Sequence, residues 1–481
     1  MRERHQSEQD ILMGERAKRN GVAFSLFTLF LSLFFLAAVP VAMKVTGTDF
    51  ATLLQNFFRI CTSPSKLVTD YFGVGCLAST LLNAGLCGLV CNLLILISRT
   101  RASSTTFAAY ILVIAHCFYG LNFINMWPPF IGVIIYCFAT KNPLRKNLHV
   151  AMFATALAPF ISDFLFCYPL GIYVNIAGIN VNIIGVLLSV LFGFGSGFLV
   201  PALLPGTTAM HRGYSMYKAG LALGMFGIFV YCFLYKTLGI VPAESVVGEN
   251  AHYYEGFGHV YWGFMNILFI ILFAFCELLG FLLNGCTFRN YSPLLKCTGH
   301  GLDFADKFGM PVCFINFGIY GFFILAYLNL VFVLPEIFPF LPEGVGFTGP
   351  TVGVTFAALT FAADGQHPKN VAPIVLGYAI LFVLTCGICA VSGLDIPWTL
   401  STQAYINGLA FATGLCPIAG KYGWKWGVVA GLVSAIICTS TSAMHGGFVL
   451  YNGGFNAGLT ALILIPVLDF YRIEPIRRDD D

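Results

Sequence analysis

The sequence predicts an all-α polytopic membrane protein with roughly 12 to 14 transmembrane helices, best counted as about 14, in two inverted-topology repeats with broken or re-entrant helices. Three observations predict it. The 481-residue chain is 58% hydrophobic and only 10% charged, with a mean hydropathy of +0.82; a soluble domain carries about 25% charged residues. Apolar runs of roughly 18 residues or more, the length a helix needs to cross the hydrocarbon core, recur from end to end. The third observation is a duplication. Residues 207–224 (TTAMHRGYSMYKAGLALG) and 441–458 (TSAMHGGFVLYNGGFNAG) share Thr207/Thr441, Ala209/Ala443, Met210/Met444, His211/His445, Gly213/Gly447, Tyr217/Tyr451, Gly220/Gly454 and Gly224/Gly458 without a gap.

The duplication extends upstream. Gly193/Gly427 and Gly197/Gly431 keep the offset of 234. Phe153-Ala-Thr-Ala-Leu-Ala-Pro159 matches Phe411-Ala-Thr-Gly-Leu-Cys-Pro417 at offset 258, so the first repeat holds 24 extra residues between Pro159 and Gly193. Asn83-Ala-Gly85-Leu-Cys-Gly88 matches Asn316-Phe-Gly318-Ile-Tyr-Gly321, and Asp70-Tyr-Phe72-Gly73 matches Asp306-Lys-Phe308-Gly309.

The candidate spans of the first repeat are 22–44, 70–98, 105–123, 127–140, 148–168, 180–203 and 216–238. Those of the second are 257–283, 308–335, 349–364, 371–391, 402–420, 425–440 and 448–470. The segments 127–140, 349–364 and 425–440 are short enough to be half-spans. The first run follows Arg16, Lys18 and Arg19, as in a signal sequence, but it is long for one and corresponds to 257–283, so it reads as an uncleaved span. The division is a cytoplasmic tail 1–21, a first repeat 22–239, an extracytoplasmic linker 240–256, a second repeat 257–470 and a cytoplasmic tail 471–481.

Charge orients this arrangement. With the N-terminus inside, 21 of the 25 Lys and Arg residues fall on the cytoplasmic side, and only Lys44, Arg59, Lys66 and Lys236 fall outside. The acidic loop Glu244–Glu255 is outside. Seven spans per repeat is odd, so the second copy enters the membrane upside down and both termini are cytoplasmic. The expected location is a bacterial cytoplasmic membrane.

Two repeated motifs are candidates for a solute site. Asn83-x-Gly85 and Asn316-x-Gly318 fall in the middle of long apolar runs. Asn beside Gly can open a helix and free backbone groups that lipid cannot satisfy, a break tolerated where it lines a cavity. Close helix packing at small residues is the competing explanation. The second motif joins Thr207, Thr208, His211 and Gly213 with Thr441, Ser442, His445 and Gly447. Hydroxyls and imidazoles can hydrogen-bond a solute or relay a proton, although a histidine can also simply cap the following helix. Inversion starts the two histidines on opposite faces, so they meet only if both motifs dip inward. Asp163, Glu277 and His116 are intramembrane ionisable residues without repeat partners, and the two acids are candidates for proton coupling. Asp70 and Asp306 sit at span starts, where helix capping explains them.

The paired Ala-Met-His-x-Gly and Asn-x-Gly-x-x-Gly motifs resemble an uncharacterised bacterial integral-membrane family built from two tandem copies of a domain of unknown function. The resemblance covers nearly the whole chain and implies no activity and no site. At the level of span count alone, the arrangement is similar to the seven-plus-seven inverted-repeat nucleobase and sulfate-type anion transporters, whose signature sequences are absent.

No P-loop, Rossmann glycine pattern or His-Glu-x-x-His is present. The 16 cysteines lie mostly in apolar runs, including Cys386-Gly-Ile-Cys389, and do not form a secreted disulfide framework. The expected function is secondary transport or channel conduction of a small polar or anionic solute, without catalysis, cofactor or metal. The partners are the bilayer and the solute, with no nucleic acid, in a state compatible with a homo-oligomer. The alternative is an intramembrane enzyme acting on a lipid or isoprenoid, with the histidines and aspartates as acid–base groups.

Overall fold

Helix follows helix along the computed structural model, which describes residues 2–101, 103–245 and 260–476. Residues 246–256 of the expected 240–256 linker, with Glu249 and Glu255, lie outside the described residues, as do Arg477 and Arg478. In the first half, α1 (Arg2–Thr46), α2 (Phe50–Thr62), α3 (Tyr71–Val74), α4 (Leu77–Ser98), α5 (Ser104–His116) and α6 (Trp127–Thr140) precede α7 (Leu144–Ala154) and α8 (Ala158–Phe166). A hairpin of β1 (Tyr173–Ile176) and β2 (Ile179–Asn182) leads to α9 (Ile183–His211) and α10 (Lys218–Tyr231). The hairpin occupies the extra residues of the first repeat.

The second half repeats this order. It contains α11 (Val260–Leu283), α12 (Tyr291–Leu294), α13 (Phe304–Phe308), α14 (Met310–Ile337), α15 (Gly349–Ala358) and α16 (Pro368–Ser392). These are followed by α17 (Gln403–Ala412), α18 (Cys416–Tyr422), α19 (Trp424–Met444) and α20 (Asn452–Phe470).

Ten helices among the described residues are long and apolar enough to cross a membrane, so the chain is an integral membrane protein by composition and length. About fourteen were expected. The difference lies in four segments. Helices α5, α6 and α15 have 13, 14 and 10 residues. At 1.5 Å per residue they reach only about half to two-thirds of a ~30 Å core. The expected span 402–420, α17 and α18 around a 3₁₀ turn at Thr413–Leu415, is not among the ten, although its counterpart Leu144–Phe166 with the equivalent turn is. The segment 425–440, expected to be short, belongs to the 21-residue α19.

Local chemistry sets many of the boundaries. Asp49, Ser103 and Thr348 accept backbone N–H bonds at the starts of α2, α5 and α15, as N-caps do. Helices α4, α6 and α9 end on Arg99, Lys141 and Arg212 in the left-handed region, with φ of 53°, 57° and 51°. Each places a cation beside the last carbonyls, where the helix dipole is negative.

The repeated glycines have a packing role. A Cβ on Gly132 of α6 would lie 1.8 Å from the Gly193 carbonyl oxygen of α9. One on Gly197 would lie 2.1 Å from the Gly132 carbonyl carbon. In the second half, a Cβ on Gly377 of α16 would lie 2.4 Å from the Val428 oxygen of α19, and one on Gly431 would lie 2.2 Å from the Ile374 oxygen. Both helix pairs therefore touch backbone to backbone. Contacts also run between the halves. The Ser104 hydroxyl at the start of α5 donates to Asp303, just before α13, at 2.5 Å. The Gly349 N–H at the start of α15 donates to Asp70, just before α3, at 2.9 Å.

Candidate functional site

The Asn-Gly motifs do not break their own helices. Asn83 and Asn316 are fully buried inside the uninterrupted α4 and α14. The expected discontinuity lies in the next element. The Asn83 side-chain amide donates to the carbonyls of Cys117 and Leu121 at 2.9 and 3.0 Å. The Asn316 amide donates to those of Ala362 and Gln366 at 2.8 and 2.7 Å. These carbonyls follow the ends of α5 and α15, where helical partners run out. Each asparagine thus holds a short helix that stops inside the protein. The glycines beside it let α4 and α14 approach their neighbours. Gly85 and Gly88 face Leu36 and Ser32 of α1, and Gly318 and Gly321 face Phe273 of α11. Close packing explains the glycines, and long-range capping explains the asparagines.

A second pair of breaks lies in the Phe-Ala-Thr-x-Leu-x-Pro repeat. A 3₁₀ turn at Thr155–Leu157 separates α7 from α8, matching the turn at Thr413–Leu415. Pro159 and Pro417 follow in the first turns of α8 and α18, lacking the N–H that would continue the preceding helix. Both breaks receive a backbone bond from the segment after a histidine motif: Met216 N–H donates to the Gly414 carbonyl and Leu450 N–H to that of Ala156, each at 2.9 Å.

The histidine motifs end α9 and α19, and the chain then turns inward to Tyr217 and Tyr451 before α10 and α20. Gly213 and Gly447 hold φ of 80° and 78°, a region open to glycine at no steric cost. Equivalent aromatic contacts surround the two tyrosines. The Tyr217 ring lies 4.8 Å from Phe361 and 5.0 Å from Phe411. The Tyr451 ring lies 4.8 Å from His116 and 6.1 Å from Phe153. Beside them α10 crosses α20 at glycine, and a Cβ on Gly220 would lie 2.4 Å from the Gly454 carbonyl carbon.

Two cavities approach this centre. The larger, about 320 Å³, is lined by Thr105, Leu112, His149, Phe153, Leu204, Pro205, Thr208, Met216, Tyr217, Lys218, Ala219, Gly220, Phe361, Asp364 and Tyr451. The smaller, about 60 Å³, is lined by Leu67, Val68, Tyr119, Ala404, Asn407, Gly408, Phe411, Cys438, Thr439, Ser442, Leu450, Asn452 and Gly453. Their walls correspond through the duplication. Leu204, Pro205, Thr208, Met216, Lys218 and Ala219 match Cys438, Thr439, Ser442, Leu450, Asn452 and Gly453 at offset 234, and His149 and Phe153 match Asn407 and Phe411 at 258. The asparagine-bound carbonyls align the two inner turns, so Asp364 stands where Tyr119 stands. A third groove, about 470 Å³ between α1, α2 and α4, has only apolar walls.

Of the residues singled out from the sequence, Thr208 and Ser442 line equivalent positions of the two cavities. His211 and His445 do not meet and line neither cavity. Both are fully buried. His445 Nε2 pairs with the Asn452 side-chain oxygen at 3.0 Å, whereas neither ring nitrogen of His211 has a partner. They stay apart because the inward turn comes after them. Asp163 accepts a 2.5 Å bond from the Tyr235 hydroxyl, and the half-buried Glu277 packs its Cβ near Gly318. Neither lines the two central cavities. Asp70 caps α3, as expected. For α13 the cap is Asp303, and Asp306 lies in the first turn. Among the described residues no group of three or more His, Cys, Asp or Glu could hold a metal ion.

Sequence reasoning passed over Tyr217, Tyr451, Lys218 and Asp364. The tyrosines carried a signal, being identical between the repeats. Asp364 carried none, because only the carbonyls held by Asn83 and Asn316 align it with Tyr119.

Residues 50–236 and 283–470 each match the family described as "Protein of unknown function (DUF1576)". The two matches leave out α1 and nearly all of α11. The chain belongs to this family and carries two tandem copies of its domain. No curated protein and no solved structure matches it.

Proposed function

We propose that the protein carries a small polar solute across the membrane through a path between its two repeats. One observation carries this reading: two cavities have repeat-equivalent walls, a wide one lined by both Tyr217 and Tyr451 and a narrow one lined by Phe411, Leu450 and Asn452 beside them. The repeats are inverted in this reading. Supporting that, the C-terminal end of α4 leads to Ser104, which bonds Asp303 ahead of α14, while the C-terminal end of α14 leads to Gly349, which bonds Asp70 ahead of α4. The two helices therefore run in opposite directions. The ten span-length helices among the described residues divide five and five between the halves, so each repeat keeps an odd number of crossings.

The wide cavity then opens to the cytoplasm, since the face holding Asp303 also gathers Arg16, Lys307, Arg212 and Lys421. Inverted repeats allow the access state to switch by exchanging the shapes of the two halves. The backbone contacts α6–α9 and α16–α19 suit units that move as bodies, and the glycine crossing of α10 with α20 suits the point between them. In this reading Thr208 and Ser442 contact solute from opposite sides. The remaining motif residues hold the breaks and turns that shape the path.

The test is flux. Liposomes containing the purified chain are loaded with a mixture of amino acids, small carboxylates, sugars and inorganic anions, and release is followed by mass spectrometry. At least one solute should leave faster than from protein-free liposomes, and Thr208→Trp should abolish that excess. Release at background for every solute, with folded protein verified in the same liposomes, sinks the transport reading.

A further inference from the structure

The wide cavity carries two opposite charges that its repeat-equivalent lacks. Lys218 and Asp364 both line it. At the matching positions of the narrow cavity stand Asn452 and Tyr119. Asp364 feels Asp303 and Asp306 as like charges and Lys218 as an opposite one, yet no ion pair within 4.0 Å joins it to Lys218. Asp364 sits in the turn between α15 and α16 and has no hydrogen-bond or ion-pair partner for its carboxylate among the described residues.

An unpaired carboxylate at the half-buried Asp364 within a membrane domain is costly and is retained where something pairs with it, and the exposed Lys218 on the same wall offers the opposite charge to whatever does. Here the something must satisfy both signs. An anion alone would meet Lys218 but face Asp364, and a cation alone would meet the reverse. The walls near Asp364 add Phe361 and Tyr217, whose ring faces attract an ammonium group. A volume of about 320 Å³ is at the small end of ligand cavities.

We propose that this cavity binds a small zwitterion of the amino-carboxylic class, its ammonium group at Asp364 against the aromatic rings and its carboxylate at Lys218. The proposal deepens the transport reading by naming the solute class, and it rests on that reading for the path.

The experiment is binding to the purified full chain in detergent, measured by calorimetry. The probes are the ω-amino acids from glycine to 6-aminohexanoate, with butyrate and butylamine as single-charge controls. At least one zwitterion should bind more tightly than both controls, with a best chain length. Lys218→Gln and Asp364→Asn should each weaken it by about ten-fold or more, roughly 1.4 kcal/mol. Lys218 is exposed, so its variant keeps the test open if the Asp364 variant does not fold. A control that binds as tightly as the best zwitterion, a series in which none binds, or unchanged affinity in Lys218→Gln overturns the proposal. Zwitterion binding without liposome release keeps this site and sinks transport. Release of another solute without zwitterion binding sinks this site and keeps transport.

Discussion

The two halves share their architecture and differ in their chemistry. Asn83 and Asn316 hold the ends of α5 and α15 with the same pair of bonds. The 3₁₀ breaks at Thr155–Leu157 and Thr413–Leu415 receive the same backbone bond. Yet His116 stands against Tyr451 where Phe361 stands against Tyr217, and Lys218 and Asp364 face Asn452 and Tyr119 across the duplication. Residues that satisfy the backbone inside the membrane are constrained alike in both copies, because an unpaired carbonyl costs the same in either half. Some residues that face a cavity are kept, as Tyr217/Tyr451 and Phe153/Phe411 are, but the polar ones are not so constrained, and there the copies have diverged.

The harshest way to break this comparison is to add side-chain volume where backbones touch. Gly132→Val should abolish recovery of monodisperse protein after detergent extraction, since its Cβ would fall 1.8 Å from the Gly193 oxygen. Gly377→Val, with 2.4 Å to the Val428 oxygen, should do nearly the same. Normal yield of either would mean that the helix pairs are not rigid units.

Next come the buried asparagines. Asn83→Leu and Asn316→Leu each leave two carbonyls without their donor, at about 1–3 kcal/mol per unsatisfied buried group. Both should lower the thermal midpoint by similar amounts, and Asn316→Leu should damage folding as well as flux. A large drop in one half alone would mean that the two breaks are not equivalent.

The histidines sharpen the contrast at smaller scale. His445→Ala removes a bond to Asn452 of 3.0 Å, for a loss of about 1 kcal/mol. His211 has no such partner, so His211→Leu should be neutral or stabilising by thermal shift. A loss larger than that of His445→Ala would indicate a partner for the His211 ring that the fold does not show.

The smallest effect belongs to Arg212→Gln. Its ion pair with Asp469, at 2.5 Å, is about half exposed on both sides, and such pairs contribute about 0–1 kcal/mol. The second half has Gly446 at that position. Thermal midpoint and liposome release should therefore stay close to those of the unaltered chain, and a collapse of either would make this pair part of the moving parts.

What the sequence by itself determined is the class and the duplication. Apolar length and low charge are local properties, and a helix that satisfies its own backbone is what such runs form in lipid. The paired motifs marked positions that matter in both halves. Their roles were decided by tertiary structure. Asn83 reads as a helix opener from its neighbours alone, but its bonds go to carbonyls 34 and 38 residues away, so it caps a different helix from its own. The sequence also marked Tyr217 and Tyr451 as identical positions, but only the turn inward after each histidine motif makes them line the larger cavity together. Asp364 has no repeat partner of its own kind, and it becomes a cavity residue because Asn316 fixes the turn that carries it. Local patterns report what each segment does with its own backbone. They do not report what a side chain does for a segment dozens of residues away, and in this fold that is where the breaks, and with them the path, are set.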